Sequence, residues 1–265
     1  MNRLEQAFHQ KGRNLIPFIM CGDPDLETTE SMIQLLEEEG VLAIELGVPF
    51  SDPMADGPVI QAAGERALKN QVTLTKVLQL AKKVRKKGCQ VPLILFSYAN
   101  PVFQFGLRKL VEEAVMHGFD GIIVPDLPFE EGEELRTQGK ECGLCVIPLV
   151  APTSQDRVKE IVSEAQGFVY CVSSLGTTGM RKKFAGQTGQ FLDTVRKLSP
   201  VPTAVGFGIS ERKHVEHFLS HADAVIVGSA LVKKIGEQAD VLADPAKRED
   251  GLMKLREFVR QLKSE

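Results

Sequence analysis

Eight short runs of consecutive apolar residues punctuate the chain, at 15–20, 42–46, 92–96, 121–124, 144–148, 167–172, 203–206 and 224–227. The runs are continuous rather than alternating, as expected for strands of a parallel sheet covered on both faces. Between them apolar residues recur at helical spacing, most clearly over 26–39 and 107–117. Eight strand-helix units within 265 residues predict an α/β fold, a single (β/α)8 TIM barrel, for which about 250 residues is usual. A doubly wound open sheet would need a Gly-rich phosphate turn after the first strand, and Cys21-Gly22-Asp23-Pro24 is not one. The opening MNRLEQAFHQKG predicts an extra amphipathic helix ahead of the first strand. No linker, low-complexity segment or strong repeat interrupts the pattern, so residues 1–265 are expected to form one barrel domain.

In a barrel of this kind the active site forms where strands end and βα loops begin. Polar, Gly and aromatic residues collect at those positions: Cys21-Gly22-Asp23, Glu45, Ser97-Tyr98-Ala99-Asn100-Pro101, Pro125-Asp126-Leu127-Pro128, Tyr170, Gly206-Phe207-Gly208 and Gly228-Ser229. The centre of the pattern is the stretch 44–58, IELGVPFSDPMADGP. Glu45 is a carboxylate in an otherwise apolar strand, and such a group has either a partner or a task. Asp56 follows in the loop. Two carboxylates in unlike settings suit an acid/base pair with separated pKa values. The plainer readings are a salt bridge for Glu45 and a turn residue before Gly57-Pro58 for Asp56.

Composition narrows the class. Hydrophobic residues make up 43% and charged residues 25%, in keeping with a globular enzyme that has a full core. The net charge of −3 favours neither nucleic acid nor an anionic membrane surface. No apolar run has the length of a membrane span and no secretion signal opens the chain, so a cytoplasmic location is expected. Five cysteines argue against a disulfide framework. Cys142-Gly-Leu-Cys145 has redox spacing without a redox context, and two ordinary thiols are expected. His214, His217 and His221 are expected on a solvated helix face rather than around a metal.

Gly206-Phe207-Gly208-Ile209-Ser210 and Gly228-Ser229-Ala230 each put glycine just before a helical segment. Backbone amides there can approach an anion, and the loops after the last two strands are the usual phosphate site of such barrels. The segment 173–189, SSLGTTGMRKKFAGQTG, is the longest loop expected and a candidate lid, with Gly176, Thr177, Thr178 and Gly179 able to complete the phosphate cradle. Its run Arg181-Lys182-Lys183 reads as a solvated face. Tyr170 enters this loop; its phenol either shares in proton transfer or fills the barrel top with a hydrogen-bonded hydroxyl.

The motifs IPFIMCGDP, ELGVPFSDPMADGP, YANPVF, PDLPFEE, GFGIS and GSALVK run in order over nearly the whole chain. Together they resemble the tryptophan synthase α subunit family, which splits indole-3-glycerol phosphate into indole and glyceraldehyde 3-phosphate without metal or organic cofactor. The resemblance implies that Glu45 is the main acid/base residue, that Asp56 holds the indole N–H, and that Tyr170 is the active-site tyrosine. It further implies that Gly179, Gly208, Gly228 and Ser229 contact the phosphate and that Thr178 belongs to the lid. Phe18, Phe96, Ile123, Phe207 and Ile226 are then the indole pocket. It also implies a partner, a pyridoxal-phosphate β subunit in an α2β2 tetramer, docking near Pro53 and Met54 and near Asn100 and Pro101.

Three positions depart from the family pattern: Ser174 where many members carry arginine, Thr177 where many carry a branched apolar residue, and Phe96 where leucine is common. They bear on lid closure and pocket size rather than on reaction class. The rival functions are a non-catalytic phosphate-binding subunit that activates its partner, and a sugar-phosphate isomerase on the same barrel.

Overall fold

The computed structural model describes residues 2–10, 12–154, 157–172, 185–206 and 208–263. Its strands are β1 (Leu15–Met20), β2 (Ile44–Gly47), β3 (Leu93–Phe96), β4 (Gly121–Ile123), β5 (Cys145–Val146), β6 (Leu149–Val150), β7 (Val169–Val172), β8 (Thr203–Gly206) and β9 (Ala224–Val227). All pair in parallel, in the order β5-β4-β3-β2-β1-β9-β8-β7-β6. The two ends of that ladder are one stretch of chain. The Ile147 N–H donates to the Ile122 carbonyl and the Tyr170 N–H to the Pro148 carbonyl, both at 2.9 Å. The sheet therefore closes into a barrel of eight strand positions. The run expected over 144–148 holds only β5; the ladder breaks at Pro148, which has no N–H to give, and resumes just beyond the run as β6.

Strand alternation sorts the side chains into two cores. Leu15, Ile19, Ile44, Leu46, Leu93, Leu95, Val169, Val205 and Val225 face outward into the layer between barrel and helices. Ile16, Ile94, Ile123, Ala204, Ala224 and Ile226 face inward and fill the barrel. This two-sided burial explains why the runs read as continuous rather than alternating. The short helix Arg3–Ala7 plugs the floor, with Leu4 fully buried among the inner residues. Asn2 caps that helix and donates to the Asp120 carbonyl at 2.8 Å. The buried Asp120 carboxylate accepts from Arg3, Arg85 and the Leu93 amide.

The helix Leu26–Glu38 starts at Asp25, whose side chain accepts the Thr28 N–H at 2.7 Å. Its far end is clamped to the last helix, Arg248–Leu262. The buried Glu39 carboxylate takes Arg256 at 2.8 Å, Arg260 at 2.9 Å and Lys263 at 3.1 Å. Burial alone would raise its pKa, but the hydrogen bonds from Arg260, Lys263 and Arg256 win and hold it at about 2 against an ordinary 4.5. The folded chain therefore keeps this charge at a pH where the unfolded chain has lost it. The stabilisation is complete above about pH 4.5 and disappears as the pH falls toward 2. Glu39→Gln is expected to lose about 2 kcal/mol at pH 7, allowing for the exposure of the cations. Urea melts of both proteins should show that difference narrowing as the pH is lowered through this window.

Candidate active site

Glu45 sits in the middle of β2, between Ile44 and Leu46, which both face outward. Alternation therefore turns its side chain into the barrel. Its register partners are Phe18 on β1 and Ile94 on β3. The residue is 1% exposed, and Oε1 has no hydrogen-bond partner. Asp23, Glu39 and Asp120, the other buried carboxylates among the described residues, all have arginine partners. Glu45 alone has no ion pair among the described residues. Burial pushes its pKa up to about 8 from an ordinary 4.5, so it is a neutral acid at neutral pH.

Tyr170, on β7, lies across the barrel from Glu45. Burial raises its phenol pKa well above the usual value, and the negative charge of Glu45 adds to the effect. The phenol occupies space that exists only because residue 206 is glycine. A Cβ there would overlap the Tyr170 hydroxyl and stand 2.7 Å from its Cζ. The same device operates at Gly47, where a Cβ would meet Phe18 Cζ at 2.6 Å. Phe18 packs edge-on against Phe96, with ring centroids 5.3 Å apart. Phe96 joins the floor cluster containing Ile123 and Ile226 to the upper cluster of Phe18, Met20, Ala63, Ala67 and Val232. Phe18, Glu45, Phe96, Ile123, Tyr170 and Ile226 are thus all on the inner face, with Ile123 the register partner of Phe96.

Asp56 lies in the loop between β2 and the helix Pro58–Lys69. Burial raises its pKa, and a hydrogen bond from the Tyr98 phenol opposes the rise. Tyr98, the residue after Ser97 at the end of β3, is 2% exposed and accepts the Ala55 N–H at 3.1 Å. The sequence puts Tyr98 at the rim but gives it no role; its contact with the Asp56 loop is visible only in the structure. The Pro58–Lys69 helix is in turn tied to the loop after β1, where Arg66 grips the buried Asp23 carboxylate with bonds of 2.6 and 2.8 Å.

The helix Ser229–Glu237 begins directly after β9 with Gly228, and no side chain caps it. Its first-turn amides are open to an anion. The Cβ direction of Gly228 points toward Phe18 Cβ, 3.8 Å away, so the helix end stands over the aromatic wall. Gly208, after β8, takes a positive φ of 59°. At the outer rim Met54 is 90% exposed, Pro53 and Pro101 are half-buried and Asn100 is exposed.

Several expectations fall elsewhere. Phe207, Ser174, Gly176, Thr177, Thr178, Gly179 and the Arg181-Lys182-Lys183 run lie outside the described residues. The loop expected to reach residue 189 is shorter, because the helix Ala185–Leu198 already starts within it. Phe191, Leu192 and Val195 anchor that helix in the core despite its glycines. His221 is not fully solvated: it is half-buried and contacts Asp193 at 2.9 Å. Among the described residues no cluster of His, Cys, Asp and Glu could hold a metal ion. Cys142 and Cys145 are free thiols. No helix among the described residues is long and apolar enough to cross a membrane.

A parallel barrel with a buried inward-facing acid, an aromatic pair beside it and an uncapped helix after the last strand is a (β/α)8 barrel protein with the features of a site for an anionic ligand. The tryptophan synthase alpha chain family model matches residues 4–264. The tryptophan synthase alpha chain of Halalkalibacterium halodurans is 52% identical over 262 residues, covering 99% of each chain. That of Shouchella clausii is 47% identical over 262 residues, covering 99% of this chain and 97% of that protein. A chain solved in the tryptophan synthase α2β2 complex of Pyrococcus furiosus superposes with a TM-score of 0.84 at 38% identity, covering 94% of this chain and 97% of that one. This chain belongs to the tryptophan synthase alpha chain family.

Two outcomes follow from the site's physics. In the unfolded chain Glu45 ionises near pH 4.5, but in the fold only near 8, so stability falls as the pH rises through that window. Glu45→Gln is therefore expected to be more stable than the parent by on the order of 3 kcal/mol near pH 7, and no more stable at pH 4. Thermal melts at both values check this. Gly206→Ala should displace the Tyr170 ring and cost about 1–3 kcal/mol by overpacking, read from denaturant melts and a structure of the variant.

Proposed function

We propose that this chain cleaves indole-3-glycerol phosphate to indole and glyceraldehyde 3-phosphate, a retro-aldol lyase reaction at the end of tryptophan biosynthesis. The observation that carries the reading is the inward-facing, neutral and unpaired Glu45 carboxyl beside Phe18 and opposite Tyr170. The indole ring would lie against Phe18, Phe96, Ile123 and Ile226, with Phe207 as a further pocket residue. The phosphate would sit on the open amides at Gly228 and Ser229, with Gly208 and Gly179 as further contacts and Thr178 in the lid that covers it.

The chemistry then runs on one proton. Glu45 delivers it to the indole carbon that bears the glycerol chain, leaving a positive charge on the ring nitrogen. Asp56 faces that N–H and stabilises the charge. The Glu45 carboxylate now takes the proton of the adjacent hydroxyl. As the aldehyde forms, the carbon-carbon bond breaks and its electron pair returns to the ring, giving neutral indole. The proton has moved from hydroxyl to ring carbon, and Glu45 is restored. The Tyr170 phenol, protonated throughout, borders the path and donates toward the charge that forms on Glu45.

In this scheme the chain needs no cofactor of its own. Pyridoxal phosphate belongs to a β subunit that receives the indole in an α2β2 assembly within the cytoplasm. Exposed Met54 with Pro53, and Asn100 with Pro101, form two neighbouring rim loops suited to that contact. The whole chain acts as one barrel domain.

The test is an indole-release assay on indole-3-glycerol phosphate, with the chain alone and with its β subunit. Release is expected in both, and the rate should fall at alkaline pH with a midpoint near 8 as the acid form of Glu45 is lost. Glu45→Gln should lower turnover by at least about 10²-fold while glycerol phosphate binding survives. Near-normal turnover in that variant would overturn the assignment.

A further inference from the structure

We infer that Tyr98 is a positioning residue for the Asp56 carboxylate, its buried hydroxyl fixing that side chain and the preceding amide in one geometry. The inference rests on the reading of Asp56 as the group that faces the indole N–H. Tyr98 is 2% exposed; its oxygen accepts the N–H of Ala55, the residue before Asp56, at 3.1 Å, and it interacts with the Asp56 carboxylate itself. The ring has little freedom, since it packs on Phe50 with centroids 5.4 Å apart. The next residue, Ala99, gives its N–H to Asp126 Oδ1 at 2.8 Å. The loops after β2, β3 and β4 are thereby held by one phenol and one carboxylate.

The charged groups that act on the phenol are Asp56 on one loop and Asp126 on the other. Both are anionic, and with burial they keep the hydroxyl protonated, so it remains a donor. A donor aimed at a carboxylate favours its charged form. Burial works the other way on Asp56, and the phenol offsets part of that effect. Without the hydroxyl, Asp56 would swing more freely and hold its proton to higher pH. A purely structural tyrosine would act through its ring and through the main-chain start of the helix Ala99–Phe105, both of which phenylalanine preserves.

Tyr98→Phe separates these roles. For indole release across pH, kcat should fall about 10- to 100-fold with a smaller change in KM. The acid limb of kcat/KM should move to higher pH. In the ligand-free protein, the carbon-13 carboxyl resonance of Asp56, assigned with Asp56→Asn, should titrate at higher pH in Tyr98→Phe than in the parent. An unshifted acid limb together with an unshifted Asp56 titration overturns the inference while the reaction stands. If the parent releases no indole, the reaction reading fails, and the Asp56 titration still decides whether Tyr98 governs that carboxylate. Should Tyr98→Phe not fold, hydrogen exchange at the Ala55 amide of the parent decides: a protected amide that loses protection in Asp56→Asn supports the clamp, and an unprotected one overturns it.

Discussion

A single unpaired carboxyl inside the barrel sets the terms for the rest of the structure. Taking an ionisable group out of water costs several kcal/mol unless a partner or a proton compensates. Glu45 is compensated by a proton, because Oε1 has no hydrogen-bond partner among the described residues and burial holds the acid neutral. That arrangement persists only if the scaffold cannot relax around it. The closed ladder, the filled interior and the plugged floor supply that rigidity, and the net stability of the chain absorbs the cost.

The same scaffold shows what satisfied burial looks like. Asp23 has the forked Arg66, Asp120 has two arginines and the Leu93 amide, and Glu39 has two arginines and a lysine. Each of these fastens one element to another: the first loop to the helix after Asp56, the floor helix to the barrel, the last helix to the first long one. The contrast gives Glu45 its meaning. Buried carboxylates used for structure are bonded at every oxygen, and the one left open is turned into the barrel interior.

Much of this was legible in the sequence. The barrel followed from eight continuous apolar runs, because strands buried on both faces erase the usual alternation. The runs 15–20, 203–206 and 224–227 match β1, β8 and β9. Glu45 stood out because it broke such a run. Pairings between distant loops were not legible. Nothing local in Asp23 announces Arg66, and nothing in Tyr98 announces Asp56, since both contacts arise from strand order and barrel curvature. The split at Pro148 and the early start of the helix Ala185–Leu198 were missed for local reasons. A proline can stay in line with a strand while removing one donor, and glycines that read as loop were overruled by buried Phe191, Leu192 and Val195.

The two tyrosines show how one residue type is turned to opposite ends by its surroundings. Tyr98 accepts the Ala55 amide and interacts with the adjoining Asp56 carboxylate, so it works as a fixed strut. Tyr170 lies over the bare backbone of Gly206 with its hydroxyl in the field of Glu45. Its phenol stays protonated through the whole neutral range, so it remains a donor whose bond to Glu45 strengthens once that acid has given up its proton. An interaction that strengthens with the charge, and is weaker before it, lowers the barrier rather than the ground state. The arrangement therefore places the strut beside Asp56, the loop carboxylate, and the second phenol opposite Glu45, which under the proposed mechanism gives up its proton and takes it back.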